Sequence, residues 1–238
     1  MTERLNRLRV ILDIVAALAI IAIGAVLVWR FLGVRPTAPP PPQAQSRQPA
    51  PVPTESLSID TLIAQGNLTS KVLIIEYGDF ECPACLAFAT RTFSALIKKY
   101  VSTGQARFGF RHYPLPNHAM AMPTAISAQC AAEQDNFWEF YDRLFRRTTP
   151  LHDGLLVDTA KALRLNSGRF RECRNGASAA TAVQRDLDEA RRLGLRATPA
   201  FVVGFINDQE KVQPTAVLYG AQDLQRFDAA IAEAQTRR

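Results

Sequence analysis

Two cysteines separated by two residues, Cys82 and Cys85, lie between an apolar, largely β-branched run, Val72 to Ile75, and a helical pattern, Leu86 to Tyr100. No other feature constrains the fold as much. A C-x-x-C pair at a strand-to-helix junction is the arrangement of a dithiol redox site. Pro83 falls at the first helical position, where its missing N–H costs no hydrogen bond. Cys82 falls at the helix N-terminus, where free N–H groups and the positive end of the helix dipole favour a thiolate. Cys85 lies one turn further on, near enough to bridge back. Cys82 is therefore the expected attacking sulfur and Cys85 the resolving one. The competing reading is half of a zinc site, which needs two more ligands at metal spacing. Cys130 and Cys173 stand alone, and His112, His118 and His152 form no such pair.

The chain has 238 residues and an apolar content of 47%, enough for one large or two small domains. Part of that content is not expected in a core. Val10 to Leu32 is apolar except for Asp13 and Arg30 and carries no charge from Ile14 to Trp29. As a helix it is long enough to cross ~30 Å of hydrocarbon, with Trp29 suited to an interface. The expectation is an uncleaved transmembrane signal anchor. A cleaved signal peptide is the alternative, but apolar residues run straight through its nearest cleavage site, Ala22-Ile23-Gly24. Arg4, Arg7 and Arg9 precede the span, whereas Arg30 and Arg35 follow it. This bias orients the N-terminus into the cytoplasm. The formal net charge of +6 does not imply nucleic acid, because Lys and Arg are scattered and no basic run is interleaved with aromatics.

The chain divides into residues 1–35, the cytoplasmic N-terminus and anchor; 36–56, a Pro-rich linker; and 57–238, one α/β domain. Pro36 to Pro53 has no apolar periodicity and is expected to extend at ~3 Å per residue. Strands are expected at Lys71–Tyr77, Gln105–Tyr113, Ala200–Phe205 and Val212–Tyr219. Helices are expected at Pro83–Tyr100, Ala119–Arg147 with a break near Asp135-Asn136, Gly154–Leu165, Gly168–Arg174, Ala179–Leu193 and Gln222–Ala234. Ser167 is the expected N-cap of the fourth of these and Gly194 the C-terminal glycine of the fifth. The order is that of a thioredoxin-like α/β fold with a helical insertion at about 117–195. Phe137, Trp138, Phe140, Tyr141, Leu144 and Phe145 read as helical core, with a substrate groove as the alternative.

Four segments resemble the DsbA family of extracytoplasmic thiol:disulfide oxidoreductases, and more closely its membrane-anchored bacterial branch. They are VLIIEYGDFECPACLAF at 72–88, FRHYPLPNHAMA at 110–121, CAAEQDNFWEFYDRLF at 130–145 and LGLRATPAFVVG at 193–204, joined by LYGAQ at 218–222. The resemblance implies that Cys82 is the nucleophile, that Cys85 resolves, and that Thr198-Pro199 forms a cis-proline loop facing them. An extended substrate can pair with backbone exposed by such a loop as an added strand. The resemblance also makes Glu76 a buried acid that relays the proton of Cys85; a solvent-facing Glu76 at the strand end is the alternative. Family members often carry cysteines at the positions of Cys130 and Cys173, which implies a structural disulfide. Closing that loop of about 43 residues is worth roughly 4 kcal/mol in the chain-entropy model. Two buried free thiols are the alternative. His112 and His118 match family positions without a catalytic role. One departure stands out: strongly oxidising members often have a histidine between the cysteines. Here the pair is Pro83-Ala84, so a less oxidising disulfide is expected.

The function implied is the introduction of disulfides into exported proteins with free cysteines. The catalytic domain would stand on the periplasmic side of the inner membrane, with a quinone-linked membrane thiol oxidase as reoxidant. The cysteine pair is its own redox group, so neither a cofactor nor a metal is implied. The alternatives are a reductase or isomerase on the same fold, an extracytoplasmic metal chaperone using Cys82 and Cys85, and a non-enzymatic peptide-binding module near Pro199.

Overall fold

The computed structural model describes residues 50–237. The expected anchor, Val10 to Leu32, and most of the Pro-rich linker lie outside them. Among the described residues no helix is long and apolar enough to cross a membrane.

The elements follow in the order β1 (Leu57–Ser58), β2 (Ile63–Gln65), β3 (Val72–Gly78), α1 (Pro83–Arg91), α2 (Phe93–Leu96), β4 (Arg107–His112), α3 (Ala121–Ala132), α4 (Phe137–Phe145), α5 (Asp153–Ala162), α6 (Ser167–Asn175), α7 (Ala177–Arg192), β5 (Ala200–Ile206), β6 (Lys211–Tyr219) and α8 (Leu224–Thr236). The strands form one sheet in the order β1-β6-β5-β3-β4-β2. β3 is central, parallel to β4 and antiparallel to β5. Every residue of β3 is buried, because helices cover both faces of the sheet. Val72 and Ile74 pack with Phe88, Leu96, Phe227 and Ile231, from α1, α2 and α8. Leu73, Ile75 and Tyr77 face the other way, onto Leu187 and Ala190 of α7. Successive strand residues alternate between faces, so Glu76 shares the face of Val72 and Ile74, under α1.

The α7 face is held by charge as well as by apolar contact. Arg111 is buried and its Nη1 lies 2.9 Å from Asp186 Oδ1, its Nε 3.4 Å from Glu189. Tyr77 donates its hydroxyl to the same Glu189 at 2.6 Å, and the His112 N–H donates to Asp186 at 3.0 Å. A buried ion pair offsets its desolvation only when its remaining polar atoms find partners in this way.

Three details depart from the local pattern. The helix expected over Pro83–Tyr100 breaks at Thr92, whose φ is −113° and whose hydroxyl donates to the Gln222 carbonyl at 2.9 Å. Beyond α2 it continues as a π turn, Ile97–Val101. The N-cap of α6 is Asn166, not Ser167: the Asn166 Oδ1 accepts from the Arg169 N–H at 2.9 Å. The amide side chain satisfies a free helix N–H from one residue earlier, leaving Ser167 inside the first turn. The short strands β1 and β2 were not expected at all; they are defined by pairing with β6 and β4.

Five helices, α3 to α7, lie between β4 and β5. α3 and α4 part at Gln134–Asn136, where Asp135 has a φ of +57°, a conformation that Asp and Asn tolerate better than most residues. α7 ends at Gly194, whose φ of +70° suits a glycine closing a helix. Cys130 of α3 is bonded to Cys173 of α6, with Cα atoms 5.8 Å apart. The aromatic run of α4 is core: Phe137, Phe140, Tyr141 and Phe145 are buried, and Trp138 packs against them from a half-buried position.

Candidate active site

β3 delivers the chain to the top of the sheet, and Gly78 to Glu81 turn it into α1. Gly78 is needed at this turn. A Cβ on it would lie 2.5 Å from the Phe110 ring and 3.1 Å from Glu76 Oε1. Asp79 fixes the turn. Its Oδ1 accepts from the Glu81 N–H at 2.8 Å, and its backbone carbonyl from the Cys82 N–H at 3.1 Å. Cys82 is the N-cap of α1 and Pro83 opens the helix.

Cys82 and Cys85 are free of each other, the dithiol form. Their surroundings differ sharply. Cys82 is 7% exposed and Cys85 is fully enclosed. The Cys82 thiol is lowered from 9.0 to about 5. The Cys85 thiol donating toward it is the largest cause, followed by Thr198 and by the backbone N–H groups of Cys85 and Ala84, while burial opposes them. Cys85 is pushed the other way, well above 9.0, by burial first and then by Cys82 and Glu76. Its sulfur accepts only a long bond from the Asp79 N–H, at 3.4 Å. One sulfur is therefore an ionised, reachable nucleophile, and its partner is a shielded thiol.

The Thr198-Pro199 peptide is cis. It brings the Thr198 carbonyl to 3.3 Å from Cys82 Sγ, which can donate to it only below about pH 5, while the sulfur still carries its proton. The Thr198 hydroxyl is buried without a partner in this state, so it is free to donate once Cys82 ionises. Glu76 is fully buried on the same side of the sheet. Its Oε2 accepts from the Tyr141 hydroxyl at 3.1 Å, and its Oε1 has no partner. Burial lifts its carboxyl from 4.5 to about 8; the Tyr141 hydrogen bond opposes this and the Cys82 charge adds to it. The solvent-facing alternative for Glu76 therefore does not hold.

Asp79, Glu81 and His118, to which no local sequence pattern gives a role, tie the active-site turn to the segment that enters the insertion. Asp79 Oδ2 accepts from the Leu115 N–H at 2.9 Å and lies 2.7 Å from His118 Nδ1. Glu81 Oε2 accepts from the Met120 N–H at 2.6 Å. Burial alone would lower the His118 imidazole, but Asp79, with the charges of Cys82 and Glu81, raises it above 6.5. The signal available in the sequence was two acids flanking Phe80 ahead of the cysteines. Their partners are distant backbone N–H groups, which no local pattern reveals. His112 is buried, and burial first, then Arg111, holds it neutral at about 3, only partly opposed by Gln129.

Fold and site together define a DsbA-like dithiol protein: a C-x-x-C helix start, a cis-proline loop against it and helices inserted after β4. The chain belongs to the thioredoxin family, whose model matches residues 58–231. Among curated relatives, it is 32% identical over 171 residues to a Na(+)/H(+) antiporter NhaA 3 of Salinispora tropica. The match takes in 71% of this chain but 24% of that protein, so the chain spans about a quarter of the length of such relatives. It is 25% identical to disulfide bond formation protein D of Bacillus subtilis, over 60% of this chain and 67% of that protein. Among solved structures, alpha-DsbA1 of Wolbachia pipientis superposes with a TM-score of 0.67 at 23% identity, covering 76% of this chain and 94% of that one. Oxidised BdbD of Bacillus subtilis gives 0.66 at 22%, covering 79% and 100%. These likenesses carry the fold.

Proposed function

We propose that the chain is a membrane-tethered, extracytoplasmic thiol:disulfide oxidoreductase that introduces disulfides into exported proteins through Cys82-Pro83-Ala84-Cys85. The asymmetry of the two sulfurs carries this reading. A substrate thiolate attacks Cys82 Sγ of the oxidised pair, the Cys82–Cys85 bond breaks, and its electron pair goes to Cys85, which takes a proton from Glu76. A second substrate thiolate then attacks the substrate sulfur of the mixed disulfide. The substrate leaves oxidised by two electrons, and Cys82 departs as a thiolate that its low proton affinity stabilises. Thr198 and Pro199 hold the substrate backbone beside Cys82, and Cys130–Cys173 braces the insertion. Residues 1–35 anchor the protein in the inner membrane, 36–56 space the domain from it, and 57–238 act in the periplasm. The relatives named as sodium/proton antiporters support work beside a membrane, and those named for disulfide bond formation support the direction. A quinone-linked membrane thiol oxidase restores the disulfide, and no cofactor is bound.

The absence of a histidine between the cysteines favours one second reading, a reductase or isomerase. The test is the state of the pair in cells and its transfer in solution. Rapid acid quenching followed by thiol alkylation should recover Cys82 and Cys85 oxidised. The oxidised full chain should pass its disulfide to a reduced, unfolded protein with several cysteines. Recovery of the pair as thiols, with no transfer, would point to the reductive reading. Tight stoichiometric Cu(I) or zinc binding without transfer would point to a metal chaperone. Full activity after loss of both cysteines would point to a binding module.

A further inference from the structure

Glu76 needs more than burial to serve Cys85. A carboxyl with both oxygens unpaired would be held as the acid and would exchange its proton slowly, because its charged form would lack any donor. Tyr141 supplies that donor from α4, an element outside the strand–helix core. Both side chains are buried, and the hydroxyl meets Oε2 at 3.1 Å. The phenol ring is packed against Phe145 at 4.6 Å, Phe93 at 5.1 Å and Phe80 at 6.0 Å between centroids. Such packing fixes the ring, so the hydroxyl cannot swing off its acceptor. The second oxygen, Oε1, has no partner, and it has room because residue 78 carries no side chain.

We infer that Tyr141 is the positioning residue of the proton relay: it holds Oε2 of Glu76 and leaves Oε1 to exchange the proton with Cys85. The inference rests on the dithiol function proposed above. When a substrate thiolate opens the disulfide, the electron pair goes to Cys85 Sγ and the proton reaches it from Oε1 by way of one water, since no direct hydrogen bond joins the two. When Cys85 closes the disulfide onto Cys82 and displaces a partner thiolate, the proton returns to Oε1. The helical insertion thus completes the chemistry of the site as well as covering it.

Tyr141 remains a donor throughout the working range, since burial first, then Glu76 and Cys85, push its ionisation well above 10.0. The titratable groups around Glu76 are Cys82 at the N-cap of α1, Cys85 within it, Tyr141 on α4 and the neutral His112 at the end of β4, which packs on the same Phe80 and Phe110 rings. The residues paired with Glu76 on β4 and β5, Phe110 and Phe201, add none.

The test follows disulfide closure in the reduced full chain at saturating oxidised glutathione, where closure by Cys85 limits the rate. In the wild-type protein that rate should climb with pH and level off. Tyr141→Phe should move the midpoint up by about one pH unit, so closure is roughly tenfold slower below both midpoints and unchanged above them. Glu76→Gln should remove the midpoint, and Tyr141→Phe with Glu76→Gln should match Glu76→Gln alone. The infrared carbonyl band of protonated Glu76, identified by its loss in Glu76→Gln, should titrate at higher pH in Tyr141→Phe whether or not the protein exchanges disulfides. If Tyr141→Phe does not fold, 3-fluorotyrosine at position 141, a stronger donor, should move both midpoints down. An unchanged midpoint with uniform slowing, or a double variant slower than Glu76→Gln, would overturn the inference while leaving the proposed function intact. An infrared titration that shifts in Tyr141→Phe, together with a wild-type protein that exchanges no disulfide, would sink the function and leave the Tyr141–Glu76 pairing.

Discussion

Cys82→Ser should abolish disulfide exchange, by several orders of magnitude in rate, whereas Cys85→Ala should keep the attack and lose the release. The two substitutions are equally small, so the contrast comes from the environments of the sulfurs. Serine at position 82 replaces a group that ionises at about 5 with a hydroxyl that does not ionise near neutrality, and no other reachable thiol replaces it. Alanine at position 85 removes a sulfur that no substrate reaches but that must displace whatever is bound to Cys82. Mixed disulfides to Cys82 should therefore accumulate and be recovered by non-reducing electrophoresis. In cells, mass spectrometry of the trapped partners gives the substrates. The Cys85→Ala variant should attack somewhat more slowly at low pH, because the Cys85 thiol is the largest influence holding the Cys82 thiolate.

The reduced protein should gain stability over the oxidised protein as pH rises from about 5 to 9. Cys82 ionises near 5 in the fold against 9.0 unfolded. Its contribution is therefore fully present above 9 and lost as pH falls through 5. Glu76 works in the opposite sense: its folded value of about 8 stands above 4.5. Its contribution is complete below 4.5 and lost as pH rises through 8. In the reduced chain the two slopes oppose each other between 5 and 8, each roughly 1.4 kcal/mol per pH unit. In the disulfide form Cys82 has no proton to lose; His112, neutral to about 3 in the fold against 6.5, then offsets Glu76 below about 6.5, and stability falls with pH only above it. The upper limit for Glu76 lies somewhat below 8, because the Cys82 charge no longer raises it. His112 and Asp186 titrate in both forms and cancel in the difference, whereas His118, which Asp79 raises in both forms and the Cys82 charge raises further in the reduced form, cancels only in part. At pH 7, two units above the Cys82 value, the gap is roughly 2.7 kcal/mol, or about 60 mV toward a more oxidising disulfide. Parallel denaturant titrations of both forms across this range measure it. Two curves that run parallel with pH would remove the thiolate from the account.

Much of this site was legible because its parts are local. The apolar run of β3, the cysteine spacing and Pro83 together specify a strand, a turn and a helix start without tertiary information. The Thr198-Pro199 segment was legible only through resemblance, since nothing in its own residues says that it meets Cys82. What could not be read has a common cause: the deciding partner is far along the chain. β1 and β2 are two and three residues long and exist through β6 and β4. The break at Thr92 is set by the Gln222 carbonyl. Asp79 and Glu81 look like surface acids until Leu115, His118 and Met120 fold back onto them. Tyr141 could be read as core, and its ring is core. Its hydroxyl, the one polar atom in that stretch of helix facing inward to Glu76, gives it a second role that periodicity does not encode.

The whole chemistry of the site depends on Cys82 being the ionised, attacking sulfur and Cys85 its buried, protonated partner. The most direct test is thiolate absorbance of the reduced protein against pH. One thiolate should appear with a midpoint near 5 and a second only well above 9. Cys82→Ser should lose the first transition, and Cys85→Ala should keep it at a higher pH. A first transition near 9, or one that survives in Cys82→Ser and vanishes in Cys85→Ala, would contradict the assignment of the nucleophile.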